Sequence, residues 1–300
     1  MTSLSSAADR PRERERAAAI QELRQEHTLS VLLKVSGMAR STFYYHQSKS
    51  NITDKYIEYK RIIHAIYHEN KGRYGYRRIA LEIRRRGYVI NSKTVLKLMH
   101  SCGLKCMVRI KKYRSYKGEY GKIAPNLLLR DFIADKPNQK WVTDITQFEM
   151  FGVKCFLSPI MDLYNREIIS YTVSYRPTFN MVTDILKKAF RKVPDNTNLI
   201  LHSDQGWHYQ HQTYQRLLRE KGVVQSMSRK GNCLDNAVIE NFFGLLKSEL
   251  LYLRKFTSIE EFIRELNKYI KYYNTKRIKL NLDGFSPVQY RKQNLIAVSK

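Results

Sequence analysis

The chain has 300 residues, of which 54 are Lys or Arg and 27 are Asp or Glu, so its formal net charge is +27. Such an excess of positive charge favours a polyanionic partner and argues against an enzyme that acts only on small neutral molecules. Residues 1–130 carry 28 basic and 10 acidic side chains, whereas residues 131–300 carry 26 and 17. This asymmetry is typical of basic DNA-binding modules joined to a core whose active site requires acidic residues.

Membrane and secretion signals are missing from the printed sequence. No stretch approaches the roughly 18 apolar residues of a membrane span, and the opening MTSLSSAADR lacks an apolar signal segment. The four cysteines are scattered, which favours reduced thiols over a disulfide framework. We therefore expect a cytoplasmic protein without a membrane partner.

The N-terminal region, residues 1–52, is predicted to be helical. Residues 1–16 are rich in Arg and Glu and are predicted to be a disordered or weakly helical lead-in. Two short apolar-periodic segments lie on either side of Gly37, which is the outline of a helix-turn-helix. A helical hairpin that only packs on a neighbour is the alternative. The residues expected to face DNA are Arg40, Ser41, Thr42 and Tyr45.

A second helix-turn-helix-like DNA-binding unit is predicted for residues 53–106. Its small core should contain Ile79, Ile83, Val95, Leu98 and Met99. A basic ridge is expected on its outer surface, formed by Arg77, Arg78, Arg84, Arg85 and Arg86. The sequence leaves open whether this ridge reads bases or only phosphates.

Four residues of this unit permit a zinc hypothesis. His64 and His68 are one helical turn apart, and Cys102 and Cys106 follow, a combination similar to the zinc-binding N-terminal unit of retroviral integrases. The alternative is two surface histidines and two cysteines near a helix end. Both interpretations remain open at this point.

Residues 107–137 have the composition of a basic linker. Lys and Arg alternate with Tyr, and Gly and Pro interrupt the segment, so it is predicted to connect the modules and to contact DNA. A catalytic domain should follow over residues 138–300.

Two carboxylates in this domain stand in or directly after strand-like segments. Asp144 lies in the middle of KWVTDITQFEM, which alternates like a strand, and Asp204 follows the apolar segment NLILHS. A carboxylate inside an apolar strand is costly unless it meets a cation. Three strands in a meander, followed by strands that alternate with helices, predict a mixed sheet of the α/β class.

A third carboxylate is predicted on a helix within residues 228–251. Its apolar stripe consists of Ile239, Phe242, Phe243, Leu246 and Leu250. Asn236 occupies the expected N-cap position, and Glu240 and Lys247 share the polar face. Asp144, Asp204 and Glu240 would therefore converge on a shared cation.

The segments WVTDIT, HSDQG and SMSRKGNCLDNAVIENFFGLLKSE together resemble the signature of bacterial insertion-sequence transposases of the OrfB type, which are similar to retroviral integrases. The resemblance implies a ribonuclease-H-like mixed-sheet core preceded by all-α helix-turn-helix-like units. It also implies that Asp144, Asp204 and Glu240 are the catalytic triad. They would hold two Mg²⁺ ions, with Mn²⁺ as a substitute.

The resemblance further implies an activity and partners. The enzyme would cleave the element ends and then transfer strands by attack of a 3′-hydroxyl on a phosphodiester. Lys247, Arg229, Lys230 and Asn236 would position the double-stranded DNA of the terminal repeats and the target. A homo-oligomer on the bacterial nucleoid and a small upstream helix-turn-helix frame product are also implied. The alternatives are a catalytically silent DNA-binding repressor relic and a nuclease without joining activity.

Other polar residues compete for roles at this site. Asp162 is interpreted as a turn-forming residue rather than a metal ligand. His202, His208 and His211 surround Asp204 in sequence and are interpreted as polar loop residues that position DNA, because metal-assisted phosphoryl transfer does not require a histidine base. The sequence contains no phosphate-binding GxxxxGK[ST] loop and no dinucleotide fingerprint, so ATP is not expected to drive the reaction.

Overall fold

The structure is a computed structural model that describes residues 13–50, 54–108, 123–229 and 233–298. The chain divides into two compact units, Met1–Ile62 and Ile63–Lys300. The four sequence regions bounded at residues 52, 106 and 137 stay predictions. Residues 1–12 of the predicted lead-in and most of the predicted linker lie outside the described residues, whereas residues 13–16 of the lead-in are helical.

The described part of the first unit begins with three helices, α1 (Glu13–Leu23), α2 (Leu29–Ser36) and α3 (Arg40–Ser50). Gly37 ends α2 with φ of 64°, a left-handed conformation that glycine adopts without strain. The core of the unit contains Ala17, Ile20, Leu32, Met38 and Phe43. The predicted helix, Gly37 turn and helix are thus confirmed. Of the side chains expected to face DNA, those of Arg40, Ser41 and Tyr45 are exposed and that of Thr42 is half-buried.

Three further helices precede the sheet, α4 (Ile57–Glu69), α5 (Tyr76–Arg85) and α6 (Ser92–Ser101). Asn91 caps α6, because its side chain accepts the Lys93 backbone N–H over 2.8 Å. The predicted core is confirmed, since Ile79, Ile83, Val95, Leu98 and Met99 are all buried.

A six-stranded mixed sheet forms the centre of the second unit. Its strands are β1 (Lys140–Thr143), β2 (Thr146–Met150), β3 (Val153–Asp162), β4 (Ile168–Ser174), β5 (Ile200–Ser203) and β6 (Val224–Met227). Strand β3 pairs antiparallel with β1, β2 and β4, whereas β5 is parallel to both β1 and β6. The predicted mixed α/β sheet is confirmed.

Helices pack on both faces of this sheet. They are α7 (Phe179–Phe190), α8 (Trp207–Gln210), α9 (Gln212–Lys221), α10 (Ala237–Leu246), α11 (Ile259–Thr275) and α12 (Pro287–Val298). One face packs against α10 and α11 through Val142, and the other packs against α7 and α9 through Trp141. Successive residues of a strand point to opposite faces, so one short strand supplies both cores.

Sequence patterns did not predict three elements of the second unit. They are the four-residue helix α8, the helix α12, and a π-helical turn over Lys247–Leu251 that continues α10. Across the described residues, no helix is long and apolar enough to cross a bilayer.

Candidate active site

Asp144 lies in a gap in the first antiparallel ladder. Strands β1 and β2 pair with β3 in one continuous register, with Thr143 opposite Ile160 and Thr146 opposite Leu157. That register places Asp144 opposite Pro159, which has no backbone N–H to donate to the ladder. The ladder opens there, and the Ile145 N–H donates instead to Asp144 Oδ1 over 2.7 Å.

Asp204 lies beside Asp144 on the neighbouring strand. Strand β5 runs parallel to β1 with Trp141 opposite Leu201 and Val142 opposite His202, so the same register brings Asp144 level with Asp204. Adjacent strands are about 4.8 Å apart. The Gly206 N–H donates to Asp204 Oδ1 over 2.9 Å, and both carboxylates line a cavity of about 290 Å³.

The two carboxylates destabilise each other's charge. Burial, followed by the charge of Asp204, raises the pKa of Asp144 well above its usual value. Burial also raises the pKa of Asp204. The backbone N–H groups of Ile145 and Gly206 bind Oδ1 of each carboxylate, so the hydrogen bonds from the backbone engage one oxygen of each residue. Two hard oxygen donors are therefore available at the edge of one cavity.

Glu240 approaches this pair from helix α10. The predicted apolar stripe is confirmed, because Ile239, Phe242, Phe243, Leu246 and Leu250 are all buried against the sheet. The Glu240 side chain remains half-buried on the other side of the helix. Burial and then the charge of Asp204 raise its pKa, which shows that the two carboxylates interact.

Lys247 brings a positive charge to the same place. Its Nζ lies 5.8 Å from the ring centroid of Phe148, and its charge lowers the pKa of Asp144. Burial lowers the pKa of Lys247, and the Asp144 carboxylate opposes that effect. The two-turn spacing from Glu240 therefore brings the cation close to the acids, on the polar face of the helix.

The carboxylates of Asp144, Asp204 and Glu240 are suitable ligands for a hard divalent ion, although the three side chains do not converge on one point. Carboxylate oxygens are the ligands that Mg²⁺ and Mn²⁺ prefer. Within the described ranges, no three His, Cys, Asp or Glu side chains converge closely enough to hold a metal between them. Asp144 and Asp204 line the cavity, whereas Glu240 is not one of its lining residues, although the charge of Asp204 contributes to its raised pKa.

The zinc hypothesis receives no support from the placement of its four residues. The rings of His64 and His68 are 6.0 Å apart between centroids, and Cys106 Sγ donates to the Arg73 carbonyl oxygen over 3.5 Å. None of the four belongs to a group of three possible ligands among the described residues. They do not form a zinc site as they stand.

Asp235 precedes α10 and binds two arginine side chains, those of Arg229 and Arg130. Arg229 donates to both carboxylate oxygens from Nε and Nη2, at 2.9 and 3.0 Å, and Arg130 donates from Nε at 2.9 Å. These hydrogen bonds, led by that of Arg229, hold the pKa of Asp235 well below its usual range. Arg229 thus has an intramolecular partner, and its predicted contact with DNA stays a prediction. Lys230 lies outside the described residues.

The prediction that His202 is a polar loop residue is wrong. His202 is fully buried in β5, where its Nδ1 lies 2.8 Å from Ser226 Oγ and its Nε2 lies 3.0 Å from the Asp235 carbonyl oxygen. Burial lowers the pKa of His202 to about 4, so the ring is neutral. It fixes the loop of Asp235 to the sheet.

The other two histidines have separate positions. His208 is buried, and its Nε2 lies 2.8 Å from the Pro177 carbonyl oxygen. His211 is exposed and caps α9 by accepting the Thr213 N–H. A loop role therefore fits His211 but not His208.

Asn236 is less accessible than predicted. It precedes α10 as expected, but its side chain makes no capping hydrogen bond and the residue is only 3% exposed. Neither its amide nitrogen nor its oxygen has a partner among the described residues. Direct contact with DNA would require this side chain to become exposed.

The basic ridge of α5 is only partly a surface feature. Arg77, Arg84, Arg85 and Arg86 are exposed, as predicted. The prediction that Arg78 stays outside is wrong, because it is half-buried with Nη1 3.9 Å from a Glu249 oxygen. Arg85 donates to the Gly284 carbonyl oxygen over 2.6 Å, which ties it to the C-terminal segment.

Sequence reasoning missed the buried carboxylate of Glu249, which lies in the π-helical turn after Lys247. Arg277 donates to both of its oxygens over 2.6 and 2.8 Å, and Tyr269 donates over 3.0 Å. Arg73 Nε donates to its backbone carbonyl oxygen over 2.9 Å. We call Glu249, Arg277, Tyr269, Arg73 and Arg78 the Glu249 cluster. The one sequence signal was an acidic residue within the apolar segment LLKSELL.

Asp162 has the structural role that was predicted for it. It is fully buried, accepts the backbone N–H groups of Asn138 and Tyr164, and forms an ion pair with Arg291 of α12. Its oxygens already have partners and are not directed at the Asp144 cavity.

Sequence comparison identifies known domains in the chain. Family models described as integrase core domain match residues 134–233 and 240–295, and a model described as HTH-like domain matches residues 54–113. Together with the mixed sheet, these matches confirm the predicted ribonuclease-H-like core and the preceding helix-turn-helix-like unit.

Two similar proteins and one solved structure illustrate the relationship. The putative transposase InsK for insertion sequence element IS150 of Escherichia coli (strain K12) is 52% identical over 274 residues, covering 91% of this chain and 97% of that protein. Transposase InsF for insertion sequence IS3A of the same strain is 32% identical, covering 92% and 98%. The HTLV-2 integrase catalytic core domain in complex with magnesium is 18% identical over 52% of this chain and 98% of that one. Its TM-score of 0.42 is too low to carry an argument.

Proposed function

The chain belongs to the insertion-sequence transposases that carry an integrase core domain, a family of DNA transposases, and on that premise we propose a metal-dependent reaction in two steps. One strand is cut at each element end, and the freed 3′-hydroxyl then attacks a phosphodiester of the target. The observation that supports this most directly is the level pairing of Asp144 with Asp204 beside Glu240 and Lys247.

Asp144, Asp204 and Glu240 would hold two Mg²⁺ ions, or Mn²⁺ in their place. Such ions, when bound, activate a water or hydroxyl and stabilise the charge of the departing oxygen. The protein holds three carboxylates at a cost that bound cations would relieve. Burial raises the pKa of all three, and the charge of Asp204 adds to the shift for Asp144 and Glu240. Closure of the Glu240 side chain on the pair would complete the ligand set.

Lys247 would orient the phosphodiester over the carboxylates. It is anchored at a helix end and lies beside Phe148 and Asp144, so its ammonium group is held near the place where the phosphate must enter. A fixed cation there attracts the substrate and limits the orientations it can adopt.

Double-stranded DNA is the proposed partner, both as element terminal repeats and as target. The exposed Arg77, Arg84 and Arg85 of α5, with Arg86 directly after it, supply positive charge for phosphate contacts. Arg229 is also exposed, within its ion pair with Asp235. A homo-oligomer on DNA, an upstream helix-turn-helix frame product and a place on the cytoplasmic nucleoid stay predictions of the family resemblance.

The function is tested with a labelled element-end oligonucleotide, target DNA and Mg²⁺. We expect a shortened strand and then a joined product that carries the label. Cleavage without any joined product would favour the nuclease alternative, because one site serves both steps. Binding without either product, in Mg²⁺ and in Mn²⁺, would favour the repressor relic.

Replacing Lys247 with Glu should reduce the joined product at least about 100-fold, since a like charge at such a site costs several kcal/mol. The substitution puts a fourth carboxylate near Asp144 and repels the incoming phosphate. Lys247→Ala should be milder because it removes attraction without adding repulsion. The measurement is the yield of joined product in Mg²⁺ from the labelled oligonucleotide.

The matched control is Lys188→Glu on α7, which makes the same charge change on the opposite face of the sheet. We expect that variant to join DNA nearly as well as the wild type. Equal loss in both variants would mean that net charge, rather than the position of Lys247, governs joining.

A further inference from the structure

Trp207 is a large aromatic side chain exposed next to the catalytic carboxylates. It begins α8, three residues after Asp204, and is 51% exposed. Its ring stacks on His208 with centroids 3.8 Å apart and planes inclined by 29°. His208 is buried and bound to the Pro177 carbonyl oxygen over 2.8 Å. The indole is thus supported on one face and accessible elsewhere.

The same indole forms part of the wall of the cavity that Asp144 and Asp204 line. The rest of the apolar wall comes from Ile145, Phe156, Pro177 and Tyr209, and the volume is about 290 Å³. This is near the lower limit of pockets that hold small ring systems. A ligand in it would meet aromatic surface on one side and the carboxylates on the other.

We propose that Trp207 is a stacking platform for the base of one unpaired nucleotide next to the phosphodiester held by the carboxylates. The inference rests on the proposed function, which brings a phosphodiester to Asp144 and Asp204. Because the cavity adjoins both acids, a base lying in it belongs to a nucleotide at or beside the reacting phosphate.

An unpaired base is required for geometric reasons. In a duplex, the two faces of each base are covered by its neighbours, so a side chain cannot stack on them until the nucleotide leaves the helix or lies in a single-stranded end. Stacking on an aromatic side chain accepts any base, because every base has a π face. The platform would therefore favour frayed or overhanging ends with little sequence preference.

The chain provides its own fluorescence reporter for this contact. It contains two tryptophans, and the other one, Trp141, is fully buried in the core. A change in tryptophan emission or in acrylamide quenching on adding DNA therefore reports on Trp207. The probe is a short duplex with a single-stranded 3′ overhang that carries 2-aminopurine, compared with the blunt duplex of the same sequence.

We expect the overhang duplex to quench both the Trp207 and the 2-aminopurine emission in the wild type, and to bind more tightly than the blunt duplex. Trp207→Ala should lose the 2-aminopurine quenching and reduce the overhang-over-blunt affinity ratio by about 5- to 100-fold, the range for one base stacked on an aromatic side chain. Trp207→Phe should keep most of both effects.

The control is Phe151→Ala, which removes an equally prominent aromatic side chain, 62% exposed, from the turn between β2 and β3. It should leave the ratio unchanged. An unchanged ratio in Trp207→Ala, or no quenching in the wild type, would overturn the proposal. If Trp207 instead contacts another protein copy, Trp207→Ala should change the oligomeric state and leave the overhang-over-blunt affinity ratio unchanged. That result would also overturn the proposal.

The outcome is separable from that of the proposed function, since quenching and affinity need no chemistry. The same overhang duplex incubated with wild-type protein and Mg²⁺ reports cleavage and joining. Quenching without either product would contradict the metal-dependent reaction while supporting the stacking platform. Cleavage by the wild type, together with an unchanged affinity ratio in Trp207→Ala, would support the metal-dependent reaction and contradict the stacking platform.

Discussion

Asp204→Asn is expected to reduce cleavage and joining below about one hundredth of the wild-type rate, since even the loss of a group behind a metal ligand costs 10- to 100-fold. The change keeps the shape of the side chain and its acceptor for the Gly206 N–H but removes the charge that would bind the ions. DNA binding should be largely retained, because the basic surfaces are untouched. Product formation from the labelled oligonucleotide measures the first effect, and a binding titration measures the second.

The same variant should be more stable to heat than the wild type when no divalent ion is present. Burial raises the pKa of both Asp144 and Asp204, so their ionised forms destabilise the folded state above the ordinary carboxyl pKa, and this cost grows as the pH rises. Removing one charge relieves the repulsion, with a gain of about 2–4 °C in Tm for each kcal/mol recovered. Adding Mg²⁺ should raise the Tm of the wild type and have little effect on the variant.

Asp184→Asn is the matched control, because Asp184 is exposed on α7 and does not line the cavity of Asp144 and Asp204. It should leave cleavage and both melting curves unchanged. Cleavage by Asp204→Asn within tenfold of the wild type would contradict its place in the triad. A Tm of Asp204→Asn below that of the wild type without metal would contradict the predicted charge repulsion between Asp144 and Asp204. It would leave the catalytic assignment of Asp204 untouched.

Sequence periodicity predicted the parts of the fold that depend on local pattern. The stripe from Ile239 to Leu250 is buried as expected because any helix with that spacing has one apolar side. Asp144 and Asp204 could be paired because each interrupts or ends an apolar segment, where a lone charge is costly, and Glu240 could be added because its helix presents it on a polar face. The gap at Asp144 could not be predicted from its own surroundings, because it reflects a proline fifteen residues later in the partner strand.

Long-range partners account for the predictions that were wrong. Arg78 has the sequence surroundings of a solvated helix face, and only the fold reveals the buried Glu249 near it. Arg73 and Glu249 are 176 residues apart in the chain, so no local pattern could relate them. His202 ends an apolar strand-like segment just before Asp204 and Gly206, and only the pairing of β5 with β6 shows that it is enclosed in the sheet.

The Glu249 cluster connects the segment after α4 to the end of the helix that carries Glu240. Arg73 precedes α5, whereas Glu249 lies in the π-helical turn directly after Lys247. Such a turn changes the direction of the side chains that follow α10, and π-helical turns occur frequently at functional sites. The buried ion pair with Arg277 fixes this turn, so its loss should affect folding before it affects chemistry.

Arg277→Met is expected to lower the free energy of unfolding by about 3–5 kcal/mol, the usual cost of leaving a buried charge without its partner. Glu249 and Arg277 are 1% and 2% exposed as side chains, so water cannot replace the lost hydrogen bonds. In the wild type, burial alone would raise the pKa of Glu249, but the hydrogen bonds and charge of Arg277 hold it below the usual value. Urea denaturation of the full chain measures the difference.

The pH dependence and a second substitution identify the cause of that loss. Without Arg277, burial raises the pKa of Glu249, so the deficit of Arg277→Met should shrink as the pH falls from about 8 to about 5 and the acid becomes protonated. Glu249→Gln combined with Arg277→Met should recover much of the stability, because no unpaired charge is left. Arg254→Met, which removes an arginine 43% exposed in its pairs with Glu261 and Glu265, should cost less than about 1 kcal/mol. A deficit in Arg277→Met that is independent of pH and unchanged by Glu249→Gln would mean that lost packing, not the stranded carboxylate, destabilises the fold.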